Sequence, residues 1–69
     1  MIRFTRIETK FRNSYTTDHA GTQWIVTWND EGYWMVAYVT ERGDLVAVDD
    51  AFSIKGAADL IEKTADSWG

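Results

Sequence analysis

Residues 23–48 read QWIVTWNDEGYWMVAYVTERGDLVAV and contain three runs rich in tryptophan, tyrosine and valine, separated by two short polar segments. Aromatic and β-branched residues favour strands. Each polar segment ends in a glycine, Gly32 or Gly43, which supplies the left-handed residue of a three-residue hairpin turn. The stretch therefore predicts an antiparallel meander with strands at 23–28, 33–40 and 45–48.

The lengths of the two turns fix how the predicted strands pair. Trp28 then lies opposite Trp34, and Val36 lies between Val26 and Val48. One predicted face carries the larger side chains Trp24, Val26, Trp28, Trp34, Val36, Tyr38, Val46 and Val48. The other is smaller on average but also apolar, with Ile25, Thr27, Tyr33, Met35, Ala37, Val39, Leu45 and Ala47. Neither face is polar.

The N-terminal segment predicts a further strand at 2–12, because uncharged and charged side chains alternate strictly from Thr5 to Arg12. Phe4, Ile7 and Phe11 also match a helical spacing, which the threonines of this segment disfavour. Residues 13–21, NSYTTDHAG, are polar and turn-rich and predict a loop.

The C-terminal segment predicts a helix at 54–67. Ser53 is a favourable N-cap, and apolar residues recur at helical spacing from Ile54 to Trp68. Phe52 is expected to pack on Ala57. The predicted fold is an α+β single domain over residues 1–69, a four-stranded antiparallel sheet followed by one C-terminal α-helix packed on one face.

Composition limits the functions open to this chain. Its 69 residues are 45% hydrophobic and include no cysteine, so neither a disulfide framework nor a thiolate zinc site is available. Residues 1–12 carry a net charge of +3 and the remainder carries −7, a balance that disfavours binding of nucleic acid. The sequence shows neither a membrane span nor a signal peptide, which predicts a cytoplasmic protein.

The candidate chemical groups are few. Asp18 and His19 lack the further ligands that a metal site needs, and Asp49 with Asp50 is more typical of capping and solvation. Arg42–Gly43–Asp44 resembles an integrin-recognition tripeptide, yet it fits a hairpin tip. Since no nucleophile, base or phosphate loop accompanies these groups, we expect no enzymatic activity, cofactor, metal or small-molecule substrate.

A sheet that is apolar on both faces and has a single helix leaves one face uncovered. We therefore expect a non-enzymatic interaction or regulatory module that docks an aromatic face, through Trp24, Trp28, Trp34 and Tyr38, on itself as a homodimer or on another protein. An accessory protein of a phage or mobile element would fit this size and acidity. In a second interpretation, residues 1–21 fold over the second face and close the core of a monomer.

The alternative function is nucleic-acid binding, with Arg3, Arg6, Lys10 and Arg12 on phosphates and sheet tryptophans on bases. Three antiparallel strands followed by the helix entry FSIKGAADLIEK at residues 52–63 resemble the integrase arm-type DNA-binding domains. That resemblance implies DNA contacts from basic residues on the sheet. In this chain, the corresponding strands and turns contain one basic residue, Arg42.

Overall fold

The computed structural model describes residues 2–7 and 13–68. Five antiparallel strands follow one another in the sheet in chain order, and one helix comes after them. The elements are β1 (Thr5–Ile7), β2 (Ser14–His19), β3 (Thr22–Asn29), β4 (Tyr33–Val39), β5 (Leu45–Ala51) and α1 (Ile54–Ser67). The predicted α+β arrangement of an antiparallel sheet followed by a helix is confirmed, whereas the predicted number of four strands is too small by one.

The additional strand is β2, which lies in the segment predicted as a loop at 13–21. Ala20 and Gly21 have φ angles of 54° and 73°, so they form a two-residue hairpin turn between β2 and β3. Hydroxyl groups of β2 bond to the neighbouring strand, and the Thr16 hydroxyl donates to the Trp24 carbonyl at 3.0 Å. The loop prediction is wrong because a polar, threonine-rich segment can form a strand when its side chains bond across the sheet.

The N-terminal segment widens the sheet. Of the strand predicted at 2–12, Thr5–Ile7 pairs with β2, and residues 8–12 lie outside the described residues. Phe4 packs against the core. Its ring also meets that of Tyr15 in an edge-to-face arrangement, with a centroid distance of 6.3 Å. In the described part of residues 1–21, β1 and β2 therefore add two strands at one edge of the sheet, while Ile2 and Phe4 pack against the core.

Pairing between β3 and β4 confirms the predicted register, with Val26 opposite Val36 and Trp28 opposite Trp34. The Gly32 amide donates to the Asn29 carbonyl at 2.9 Å, and Gly32 has a φ of 105°, as the three-residue turn requires. Between β4 and β5, however, Val36 pairs with Asp49. The predicted pairing of Val36 with Val48 is wrong because a bulge places an extra residue in β5.

Helix α1 has the predicted bounds, and the Ser53 hydroxyl accepts a hydrogen bond from the Gly56 amide at 2.9 Å. Phe52 is 86% exposed, so the expected packing on Ala57 does not occur. The helix packs on the sheet face with the larger side chains, and the buried core consists of Trp24, Val26, Val36, Ala51, Ala57 and Ile61. Over the described residues, no helix has the length and apolar character needed to cross a membrane.

Candidate functional site

The four aromatic residues predicted to dock a partner lie on the sheet face that α1 covers, which we call the covered face. Trp24 is completely buried, and its indole N–H donates to the His19 carbonyl at 3.0 Å. Trp28, Trp34 and Tyr38 are half-buried. Trp24 thus presents no surface to a partner, and its role in this structure is to fill the core beneath the helix.

Aromatic side chains on the covered face pack mainly on each other. The rings of Trp28 and Trp34 meet edge to face at 5.0 Å, and Tyr15 approaches Trp34 at 5.7 Å. At the other end, Tyr38 lies 5.6 Å from Trp24, measured between ring centroids. Because aromatic pairs of this kind add to the stability of a small core, these side chains have a structural role irrespective of any partner.

The opposite side of the sheet, which we call the open face, carries Ile25, Thr27, Met35, Ala37, Val39, Leu45 and Ala47. Alternation along the strands places these side chains away from α1, and the pairs Ile25–Ala37 and Thr27–Met35 lie side by side. A shallow groove of about 270 Å³ on this face is lined only by residues of β3, β4 and β5. Leu45, at its margin, is 62% exposed.

Acidic residues surround the open face. Strand pairing places Asp18 beside Gln23 and Asp50 beside Met35, so both carboxylates belong to this side of the sheet. The adjacent hairpin turns add exposed acids at Asp30, Glu31, Glu41 and Asp44. Within residues 13–51 the sequence contains a single lysine or arginine, Arg42. The open face is therefore an apolar surface with a negatively charged margin.

Two of the residues considered as candidate sites accept hydrogen bonds within the fold. The main-chain carbonyl of His19 accepts a bond from the Trp24 indole N–H, and one Asp49 carboxylate oxygen accepts a bond from the Asp50 amide at 2.8 Å. Gly43 has a φ of 87° in the hairpin turn between β4 and β5, as the turn interpretation of its tripeptide requires. Among residues 2–7 and 13–68, no three potential ligand side chains come together to hold a metal ion.

The residues predicted to contact nucleic acid are only partly within the described chain. Arg3 and Arg6 are exposed, and the Arg6 guanidinium donates to the Asn13 side-chain oxygen at 3.2 Å. Lys10 and Arg12 lie outside the described residues. Of the tryptophans expected to stack on bases, Trp24 is enclosed in the core.

Sequence reasoning missed Trp68 as a surface residue. It follows the last helical residue, and 47% of its surface is exposed. Its ring stacks on Trp24 with a centroid distance of 5.0 Å and an interplanar angle of 13°. The spacing placed Trp68 in the apolar stripe of the helix. Its position at the C-cap, beyond the last turn, is what leaves part of the indole accessible.

No protein-family model matches the sequence, and no curated protein or solved structure matches the chain. Because a fold can host many unrelated functions, a functional assignment depends on the chemistry of the surface itself. The open face, its acidic margin and the exposed indole of Trp68 are the features on which that assignment is based.

Proposed function

We propose that the chain is a non-enzymatic protein-interaction module that binds a partner through the open face. The observation that carries this proposal is an apolar, helix-free face on a sheet whose other face supplies the core. An antiparallel sheet commonly exposes a polar face to water. A contiguous apolar patch on a small protein is typical of an interaction site.

The size of the open face favours a short segment of a partner. Three strands about 4.8 Å apart, with seven residues rising about 3.3 Å each, cover roughly 330 Å². This footprint is well below the roughly 800 Å² that each partner buries in a standard interface. One amphipathic helix or strand would cover it.

The charges around the open face select the chemistry of that segment. Its margin carries Asp18, Asp30, Glu31, Glu41, Asp44 and Asp50. A partner with lysine or arginine beside its apolar residues would be attracted to this margin and oriented by it. We therefore propose a basic amphipathic protein segment as the ligand, whose association weakens as salt rises.

The same charges give less support to the other occupants considered. A second copy would bring an identical acidic margin against this one, and nucleic acid would bring phosphates. Like charges placed opposite each other oppose association. Homodimerisation and nucleic-acid binding are accordingly outcomes for the experiment to detect, and we do not propose either as the function.

A model peptide tests the proposal directly. The probe is a 14-residue amphipathic helix of leucine and lysine, and the matched control replaces each lysine with glutamate. Titrations are followed by NMR methyl shifts and by calorimetry. We expect saturable binding of the lysine peptide only, with shifts at Ile25, Met35 and Leu45. Light scattering on the free chain, of 7.9 kDa, reports its oligomeric state.

Two variants distinguish peptide binding at the open face from nonspecific hydrophobic binding elsewhere on the chain. Leu45→Glu and Phe52→Glu each add one negative charge at an exposed apolar residue, but Leu45 is one of the residues that define the open face, whereas Phe52 lies in the connection between β5 and α1. Losing burial of a leucine, about 1.5–3 kcal/mol, predicts at least about tenfold weaker binding for Leu45→Glu. Phe52→Glu should bind as the parent chain does. Equal weakening by both variants, or a dimer dissociated by Leu45→Glu, would overturn the proposed mode of binding.

A further inference from the structure

A second cavity lies at the end of the sheet where α1 terminates. It has a volume of about 480 Å³, and its lining includes Gln23, Tyr38, Thr40, Glu41 and Trp68. That volume is comparable with small-ligand pockets, which measure about 300–1,000 Å³. Val39 also lines it and pairs with Leu45 on the open face. The cavity therefore adjoins the surface on which we place the partner.

The aromatic wall of this cavity is rigid. Trp68 stacks on the buried Trp24, and Tyr38 meets Trp68 edge to face at 5.0 Å with an interplanar angle of 73°. One side of the indole is thus held by the core, while 47% of the residue stays exposed. A fixed indole with accessible surface is the best side chain for binding a cation over its ring.

The charges at the cavity also favour a cation. Among the described residues that line it, Glu41 alone is charged. The last turn of α1 has no basic residue, while Asp66 lies there, so nothing in that turn neutralises the negative end of the helix dipole. The Glu41 carboxylate, the C-terminal end of α1 and the Trp68 indole all favour binding of a positive charge.

We propose that this cavity binds an arginine side chain of the protein segment that docks on the open face, an inference that rests on the proposed function. A guanidinium is planar and stacks on an indole, and its several donors suit a carboxylate together with neutral oxygens. Glu41 is the proposed ionic partner, Trp68 the stacking surface, and Thr40 and Gln23 offer further acceptors at the rim.

The test uses blocked arginine, N-acetyl-arginine N-methylamide, titrated into the full chain in about 0.15 M salt and followed by ¹⁵N NMR. We expect saturable shifts of the Trp68 indole N–H and of the Gly21 and Glu41 amides. Blocked citrulline, which has the same shape without the charge, should bind about three- to thirtyfold more weakly, as expected for the loss of one cation–π contact and one exposed ion pair.

Matched variants locate the site. Glu41→Gln removes the ion pair alone and should weaken arginine binding by up to about fivefold, while Glu62→Gln, the same change in α1, should leave binding unaltered. Trp68→Phe keeps an aromatic ring with a weaker cation contact and should also reduce affinity. Equal binding of arginine and citrulline, or equal weakening by Glu62→Gln and Glu41→Gln, would overturn the inference. The proposed function is tested separately, by whether Leu45→Glu weakens binding of the leucine–lysine peptide. That result does not depend on how blocked arginine binds.

Discussion

Replacing Ala20 tests why the polar segment before it is a strand. Ala20 has a φ of 54°, a left-handed conformation that costs an alanine about 1–2 kcal/mol and that asparagine adopts more readily. The residue is exposed, so the substitution sacrifices no buried surface. We predict that Ala20→Asn raises the free energy of unfolding by about 1 kcal/mol. In a chain of this size that gain corresponds to a Tm roughly 4–8 °C higher.

The assay is thermal and urea unfolding followed by tryptophan fluorescence, with Gly21→Ala as the matched opposite. Gly21 has a φ of 73°, and an added β-carbon would meet no atom within 4 Å, so the cost comes from the backbone alone. Strain of about 1–2 kcal/mol, offset by about 0.4–1 kcal/mol from a less flexible unfolded chain, predicts a loss of about 0.5–1 kcal/mol. If Ala20→Asn destabilised the chain or Gly21→Ala had no effect, the tight turn between β2 and β3 would be refuted.

Four further substitutions probe the core, the helix and the open face. Ile61→Ala, in the buried core, should cost about 2–5 kcal/mol, whereas Leu45→Ala on the open face should cost well under about 1 kcal/mol; urea unfolding compares them. Ser53→Ala removes the N-cap bond to Gly56 and should lower stability by about 1 kcal/mol, with a matching loss of helical circular dichroism. Trp24→Phe removes the indole donor to the His19 carbonyl and should cost about 2 kcal/mol; an unchanged urea midpoint would contradict that bond.

The sequence predicts best those strands and helices whose ends contain residues with a strong preference for one turn or cap conformation. Gly32 and Gly43 specify three-residue turns, so the register between β3 and β4 follows from the sequence. Ser53 specifies the start of α1 in the same way. The bulge in β5 is different, because no residue type near Val48 predicts an extra residue in the strand. The shift in register arises from the way β4 and β5 pair.

The strand β2 was missed for a similar reason. Its turn uses Ala20, a residue type that rarely adopts a left-handed conformation, and its stability depends on hydroxyl bonds to β3 that only the folded sheet creates. Local pattern therefore predicted a loop.

The candidate site was predictable in outline only. The sequence indicates two apolar faces and one helix, but it leaves open which face the helix covers. Burial of Trp24 beneath Ala57 and Ile61 takes the larger apolar surface out of water, which favours the arrangement observed. The consequence is that no helix covers the aliphatic face, where Leu45 and Ala47 are exposed and Ile25 and Met35 are half-buried. Trp68 is accessible because it lies beyond the last helical turn.

Solvent access to individual methyl groups in the free chain tests the central assignment most directly. A soluble gadolinium chelate, added to the methyl-labelled protein, relaxes methyl groups according to their exposure. The methyl groups of Leu45 should relax strongly and those of Ile25 and Met35 to an intermediate degree, while those of Val26, Val36 and Ile61 stay protected. Protection of Ile25 and Met35 equal to that of Val26 would mean that the open face is covered in solution, and would contradict a face left free for a partner.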